Sequence, residues 1–364
     1  MKKALPSILL FAALTYLLPF AGLLLPAFAA GQPDGQSPAP GTAGLWAGRQ
    51  PAEPAPAPDS PAPDAAGPQQ PGDGGDTGDG AGLAGLDIQL WDEGAGRLLS
   101  VPVEEYLIGV MAAEMPPDWP DEALKAQAVA AHSYVLYQRA HADTAALEGG
   151  WLAADPARRQ GFMTDEVLRS YWGEAYEQNY ARLAGLAAEV KNELLLYGTE
   201  PAAACYHAIS SGATEASQNV WGEALPYLQG VDSPLDLTSP DYEKTVTYTP
   251  QQMYDALLLG CEGLSLEGGP SGWFGDVRYT GAGYVAEIEI GGQMVAGPAV
   301  RAALGLRSAC FTVDYADGVF TVTTRGYGHG VGLSQYGANA LALTGRTHEE
   351  ILAFYYPGTA LGVG

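Results

Sequence analysis

Glu104-Glu105-Tyr106-Leu107-Ile108-Gly109-Val110-Met111-Ala112-Ala113-Glu114-Met115-Pro116 is the stretch from which the rest of the chain is read. As a helix it places Leu107, Val110, Met111 and Glu114 at i, i+3, i+4 and i+7, one face of a 3.6-residue period. A carboxylate therefore falls on an apolar stripe. Pro116 should end the helix at about Met115, because a residue preceding proline avoids the right-handed helical region. Apolar surroundings favour the protonated form of a carboxyl group, by up to ~3–5 pKa units for full burial. A carboxylic acid that is neutral near pH 7 can protonate the leaving oxygen of an acetal. The bland alternative is a glutamate at a helix end that simply reaches water.

Outward from this helix, Pro102 and the two glutamates suit its first turn. Ile88 to Trp91 and Leu98 to Val101 read as a strand pair before it. A Pro-rich turn, Met115 to Pro120, leads to a second helix from Asp121 to about His141, with Leu124, Ala128, Ala131 and Val135 as its stripe. Gly161 to Ala188 looks helical. Glu193 to Tyr197 and Ala202 to Ile209 read as a hairpin turning through Gly198-Thr199-Glu200-Pro201. Thr249-Pro250-Gln251-Gln252 and Thr347-His348-Glu349-Glu350 are capping boxes that open helices, and another helix starts near Ser334. Strands are expected at Asp276 to Thr280, Val285 to Ile290, Phe311 to Val313 and Val319 to Thr324. Separate helices and mostly antiparallel hairpins make the fold class α+β, with helices packed on hairpins around a substrate cleft.

The 364 residues divide into three parts. Residues 1–30 carry Lys2 and Lys3 before an uncharged apolar stretch, Ala4 to Ala30, which would be roughly 40 Å long as a helix. That is enough to cross a bilayer core of ~30 Å, and it reads as a membrane anchor with its basic end inside. Ala27-Phe28-Ala29 leaves a cleaved secretory signal as the alternative. Residues 31–85 are Pro, Ala, Gly, Asp and Gln with almost no apolar anchors, a disordered tether with a mean span of ~40 Å. Residues 86–364 form the folded domain.

The net charge is −25, from 17 basic and 42 acidic residues, which excludes nucleic acid as a partner because phosphate neutralisation needs basic surface. The three cysteines, Cys205, Cys261 and Cys310, allow a Cys261–Cys310 bridge or three buried thiols. Cys205 and His207 at i, i+2 are a weak metal signal without further ligands nearby. In Cys205-Tyr206-His207-Ala208-Ile209-Ser210-Ser211-Gly212, small hydroxylated residues beside a glycine let a polymer approach the backbone, and Tyr206 and His207 can orient a sugar. Arg325-Gly326-Tyr327-Gly328-His329-Gly330-Val331-Gly332-Leu333-Ser334-Gln335-Tyr336-Gly337 lacks the Lys-Ser/Thr of a phosphate loop. It reads as a close-approach wall holding His329 and Gln335 at a cleft, or as a structural turn with a core histidine. The absence of Gly-x-Ser-x-Gly and His-Glu-x-x-His weakens serine-hydrolase and metalloprotease readings.

Taken together, these motifs resemble the stage II sporulation protein D (SpoIID/LytB) family of peptidoglycan lytic transglycosylases. The resemblance rests on Val101 to Pro116, Glu122 to Ala131, Tyr206 to Gly212, Asn219-Val220-Trp221-Gly222, Pro226-Tyr227-Leu228, Gly326 to Gly337 and Phe354 to Gly358. It implies cleavage of denuded glycan strands between N-acetylmuramic acid and N-acetylglucosamine during engulfment, alongside a cell-wall amidase, with Glu114 as the catalytic acid. Residues expected to touch substrate are His132, Tyr134, Tyr206, His207, Ser210, Ser211, His329, Gln335 and Tyr336. Two departures stand out: His132 replaces the family's arginine, and His207-Ala208-Ile209-Ser210-Ser211-Gly212 replaces His-Ser-Thr-Ser-Gly-Gly. Some members ligate zinc through a Cys- and His-containing insertion; Trp151 to Trp172 contains neither residue, so no metal or other cofactor is expected. The rival expectation is a non-catalytic glycan-binding modifier that stimulates an amidase.

Overall fold

The structure is a computed structural model and describes Gly82 and residues 85–142, 144–261 and 263–364. The expected anchor and nearly all of the tether lie outside the described residues. Among the described residues no helix is long and apolar enough to cross a membrane.

The chain begins with β1 (Ile88–Asp92) and β2 (Arg97–Val101), paired antiparallel in the expected place. Pro102 then caps α1 (Val103–Glu114), where Glu104 and Glu105 face the positive end of the helix dipole. Met115 turns extended, at φ −134°, one residue before Pro116. After a turn, Pro120 opens α2 (Asp121–His141). β3 (Leu152–Ala154) returns to pair parallel with β1.

The helical pattern expected over 161–188 is two helices, α3 (Asp165–Trp172) and α4 (Tyr176–Val190). Thr164 caps the first, and Gly173 at φ 54° breaks the run, a conformation glycine adopts without a Cβ penalty. Together α1, α2 and α4 enclose the larger core, in which Leu107, Val110, Met111, Leu124, Ala128 and Val135 have no exposed surface.

The hairpin expected after Lys191 is shorter than its sequence pattern. Within it β4 (Glu193–Tyr197) meets the two-residue β5 (Glu200–Pro201), through Leu196↔Pro201 and Tyr197↔Glu200. The Ala202 N–H adds one more bond, to the Leu195 carbonyl at 2.9 Å, and the Ala203 N–H is then taken by the Tyr227 hydroxyl at 2.9 Å. Ala202, Ala203 and Ala204 instead sink into the core, and β6 (Tyr206–His207) leaves toward a different partner.

A short helix, α5 (Ser217–Trp221), precedes a second lobe. This lobe contains β7 (Glu243–Tyr248), α6 (Pro250–Gly260), β8 (Phe274–Tyr279), β9 (Val285–Ile290), β10 (Gln293–Ala296), α7 (Gly297–Leu304), β11 (Phe311–Ala316) and β12 (Val319–Arg325). Its own core includes Met253, Leu257, Trp273, Ile288, Val300, Phe311 and Phe320. The Thr249 capping box is present in full. The chain enters through β7 and leaves through β12, which pair antiparallel, so entry and exit lie side by side. Arg325 Nε donates to Glu243 Oε2 at 3.1 Å, and the Gly326 N–H donates to the Tyr242 carbonyl at 2.7 Å.

The chain then re-enters the first lobe. β13 (Leu333–Ser334) pairs parallel with β6, followed by α8 (Gln335–Leu343), α9 (His348–Tyr355) and β14 (Ala360–Val363), which pairs antiparallel with β4. The architecture is α+β, with small, mostly antiparallel sheets and two parallel pairings, β1 with β3 and β6 with β13. Cys205, Cys261 and Cys310 are three buried, unbridged thiols.

Candidate active site

Glu114 ends α1, and the fold brings residues distant in sequence to its carboxyl group. Gln335, the first residue of α8, donates from Nε2 to Glu114 Oε2 at 3.1 Å and to Gln127 Oε1 of α2 at 3.3 Å. Both amide protons of Gln335 are thereby engaged, which fixes its orientation. Tyr106, about two helical turns before Glu114, and Tyr206 of β6 lie close enough for the carboxylate to raise their pKa values further, on top of burial.

Burial pushes the Glu114 carboxyl from 4.5 up to about 7, opposed by the hydrogen bond from Gln335. The side chain keeps a partly exposed edge, as a proton donor to an external substrate requires. A carboxyl group raised toward neutrality holds a proton it can give and, once ionised, can take one back, the condition in which one group serves both as acid and as base.

The turn after Glu114 is clamped. Arg182 of α4 donates to the Pro117 and Trp119 carbonyls, the latter at 2.6 Å, and to the Asp121 carboxylate. Its planar fork suits this multi-point grip. The turn presents the Trp119 ring edge-on to Tyr336, centroids 4.9 Å apart. Both rings are partly exposed, the kind of surface on which a sugar ring packs.

The other residues singled out by sequence occupy different settings. His132 has no exposed surface; burial lowers its pKa to about 4, weakly opposed by the Glu193 backbone. It is a neutral core residue, and the structure does not bring it to a surface where a ligand reaches it. Tyr134 is likewise buried, its hydroxyl accepting from Gln138 Nε2 at 2.7 Å. His207 Nδ1 lies 3.1 Å from the Val331 carbonyl and acts there as the donor.

His329 Nδ1 accepts the Val331 N–H at 3.0 Å, which puts the ring proton on Nε2. Burial and the Arg301 charge lower the His329 pKa to about 3. Its ring packs between His207 and Trp221, at 5.7 and 5.0 Å between centroids. Ser210 binds the buried Asp236, while the Ser211 hydroxyl donates to the Ala282 carbonyl of the second lobe at 2.9 Å. Thus the Gln335 amide reaches the carboxyl group and Tyr206 lies within reach of its charge, Tyr336 packs on Trp119, and the two serines are tied to Asp236 and to the second lobe.

A hollow of about 320 Å³ lies elsewhere, lined by Glu215, Tyr284, Arg301 and His329 among others, and does not include Glu114. The site is therefore defined by the carboxyl group's surroundings, not by that hollow. Among the described residues no three His, Cys, Asp or Glu side chains cluster as metal ligands. Three contributors escaped sequence reading: Gln127, Arg182 and Asp236. Only Gln127 left a trace, as a polar residue inside a run of alanines.

Comparison with known proteins now bears on this geometry. A family model described as stage II sporulation protein matches residues 92–197, the segment that builds α1, the clamp and α2. The chain is 38% identical over 264 residues to stage II sporulation protein D of Bacillus subtilis (strain 168), covering 72% of this chain and 75% of that one. The chain belongs to the SpoIID family. A second SpoIID relative, from Bacillus amyloliquefaciens, is 36% identical over 71% of this chain and 74% of its own length. An amidase enhancer of Bacillus subtilis (strain 168) is 28% identical over 70% of this chain and 40% of its own length. Membership of the SpoIID family places this chain among proteins of sporulation and the cell wall.

Proposed function

We propose that this protein is a lytic transglycosylase that cuts denuded peptidoglycan strands between N-acetylmuramic acid and N-acetylglucosamine in the remodelling of sporulation. The observation that carries the proposal is the Glu114 carboxyl group, raised to about 7, partly exposed and held by the Gln335 amide. Among the described residues, the groups that couple to it are Gln335, Tyr106 and Tyr206, none of them a second acid. Hydrolytic glycosidases use two carboxyl groups, one as acid and one as base or nucleophile. A transglycosylase needs one.

In the proposed reaction Glu114 gives its proton to the glycosidic oxygen as the C1–O bond of the muramoyl residue breaks. The resulting carboxylate takes the proton of the muramoyl 6-hydroxyl, whose oxygen closes onto C1 as a 1,6-anhydro ring. The proton count on the enzyme returns to its starting value, and no water is consumed. Each proton transfer contributes about 10²–10⁴-fold. Trp119 and Tyr336 supply the sugar-stacking surface, and Gln335 aims the carboxyl group. Lys2, Lys3 and the apolar run that follows support attachment to the membrane with the catalytic domain outside the cytoplasm, or secretion if that segment is cleaved.

Digestion of denuded glycan by the full chain, with products read by mass, tests this reading. Anhydro ends that disappear in Glu114→Gln support it; full cutting by that variant overturns it. The similarity to an amidase enhancer favours one rival, a glycan-binding modifier that stimulates an amidase. That role leaves Glu114 without chemistry, so Glu114→Gln would stimulate amidase release of stem peptides as well as the unchanged chain does.

A further inference from the structure

Asp236 has no exposed surface and sits in the tight turn Pro234–Thr238. A buried carboxylate is costly unless donors surround it. Here they do. Oδ2 accepts from the Ser210 N–H at 3.2 Å and from the Ser210 hydroxyl, and Oδ1 accepts from the Ser334 hydroxyl at 2.8 Å. Burial pushes its pKa up, while the bonds from Ser210, Ser334 and Ser233 pull it down.

Ser334 is also the N-cap of α8, accepting the Gly337 N–H at 3.2 Å. A hydroxyl has one proton to give. Two acceptors compete for it, Asp236 Oδ1 at 2.8 Å and the Ala208 carbonyl at 3.3 Å, and the shorter, charge-assisted bond to Asp236 is the stronger. Directed there, the proton leaves the Ser334 lone pairs facing the helix terminus, which is the capping geometry. The next residue is Gln335, whose amide reaches Glu114. The loop around Asp236 is packed tightly enough that a Cβ on Gly337 would lie 2.0 Å from the Tyr355 hydroxyl oxygen and 3.2 Å from Asp236 Oδ1.

We propose that Asp236 is a positioning residue which, through the Ser334 cap, holds the Gln335 amide against Glu114. Its catalytic consequence rests on Glu114 being the working acid, but the positioning itself does not. The titratable groups facing Glu114 are Tyr106 from its own helix and Tyr206 from β6; from α8 it meets the Gln335 amide, which Gln127 of α2 buttresses. The two ways Asp236 can act on Glu114 have opposite signs. Removing a negative charge, acting through space, lowers the pKa of a nearby carboxyl group. Releasing the Gln335 amide removes a donor to the carboxylate and raises it.

The experiment is a carboxyl-carbon NMR titration of the full chain with labelled glutamate, the Glu114 resonance being identified from its loss in Glu114→Gln. Gln335→Leu should move the Glu114 midpoint up by about one unit, a tenfold change in its acid constant. Asp236→Asn should move it the same way, and should add nothing in the Gln335→Leu background. An unchanged or lowered midpoint in Asp236→Asn, or additive shifts in the double variant, overturns the proposal. If Asp236→Asn does not fold, Ser334→Ala decides alone: a raised midpoint supports the relay and an unmoved one refutes it. Because the readout is a titration, failure of glycan cleavage in the unmodified chain would sink the proposed activity and leave this result standing.

Discussion

Replacing Glu114 by Gln should stabilise the fold at high pH and leave it unchanged at low pH. The side chain is isosteric, and its carbonyl oxygen can still accept the hydrogen bond from Gln335. The carboxyl group, whose pKa goes from 4.5 in its ordinary state to about 7 here, binds a proton more tightly folded than unfolded. Between those two values the native state therefore holds more protons, and stability falls as pH rises through the window. Each tenfold in the acid constant is ~1.4 kcal/mol, so the full interval corresponds to ~3 kcal/mol. The exposed edge of the side chain admits water and reduces the expectation to about 2 kcal/mol. Urea unfolding of both proteins at pH 4 and pH 8.5 measures it: the variant's advantage should be near zero at the first and about 2 kcal/mol at the second. An advantage that does not grow with pH would refute the claim that the fold strains this carboxylate.

Three other substitutions probe the scaffold. In Gly109→Ala the new Cβ would lie 2.3 Å from the Phe162 ring and 2.4 Å from the Met163 carbonyl oxygen, so a loss of about 1–3 kcal/mol or more is expected on thermal unfolding. Ser133→Ala removes the acceptor of the buried Leu195 N–H at 2.8 Å, and chemical denaturation should show a cost of about 1–3 kcal/mol, independent of pH. Glu122→Gln acts with the opposite pH sign to Glu114. Hydrogen bonds from Lys125 and His348, acting against burial, bring the Glu122 carboxyl down to about 2. Its stabilisation is full above the ordinary value and fades as pH falls toward 2. With the side chain partly exposed, the variant should lose about 1 kcal/mol at pH 7 and converge with the unmodified chain near pH 2, as followed by circular dichroism.

Local signals carried well from sequence to structure. The Pro102 and Pro116 brackets on α1 and both Thr-x-x-Glu/Gln capping boxes mark real helix ends, because each is written in a few adjacent residues. The second arm of the hairpin after Glu193 is shorter than the sequence pattern predicts for a tertiary reason: Ala202–Ala204 are buried in the core, where the Tyr227 hydroxyl takes the Ala203 N–H. The site shows the same division. Glu114 is legible as a charge on an apolar stripe, and Gln335 as a polar group after a glycine-rich loop, whereas the links of Gln335 to Glu114 and Gln127, and of Ser334 to Asp236, are made only by the return of the chain from the second lobe. In sequence His132 reads as a ligand-facing group, and His329 as either a cleft residue or a core histidine. Their burial makes them neutral core rings, and a histidine leaves no mark in a local pattern that separates the two roles.

The central claim is that one carboxyl group cuts the glycan without water. Digesting denuded strands with the full chain in heavy-oxygen water tests it most directly. The account predicts anhydro-muramoyl ends with no heavy oxygen incorporated, and none formed by Glu114→Gln. One heavy oxygen at each new reducing end would show hydrolysis and contradict it.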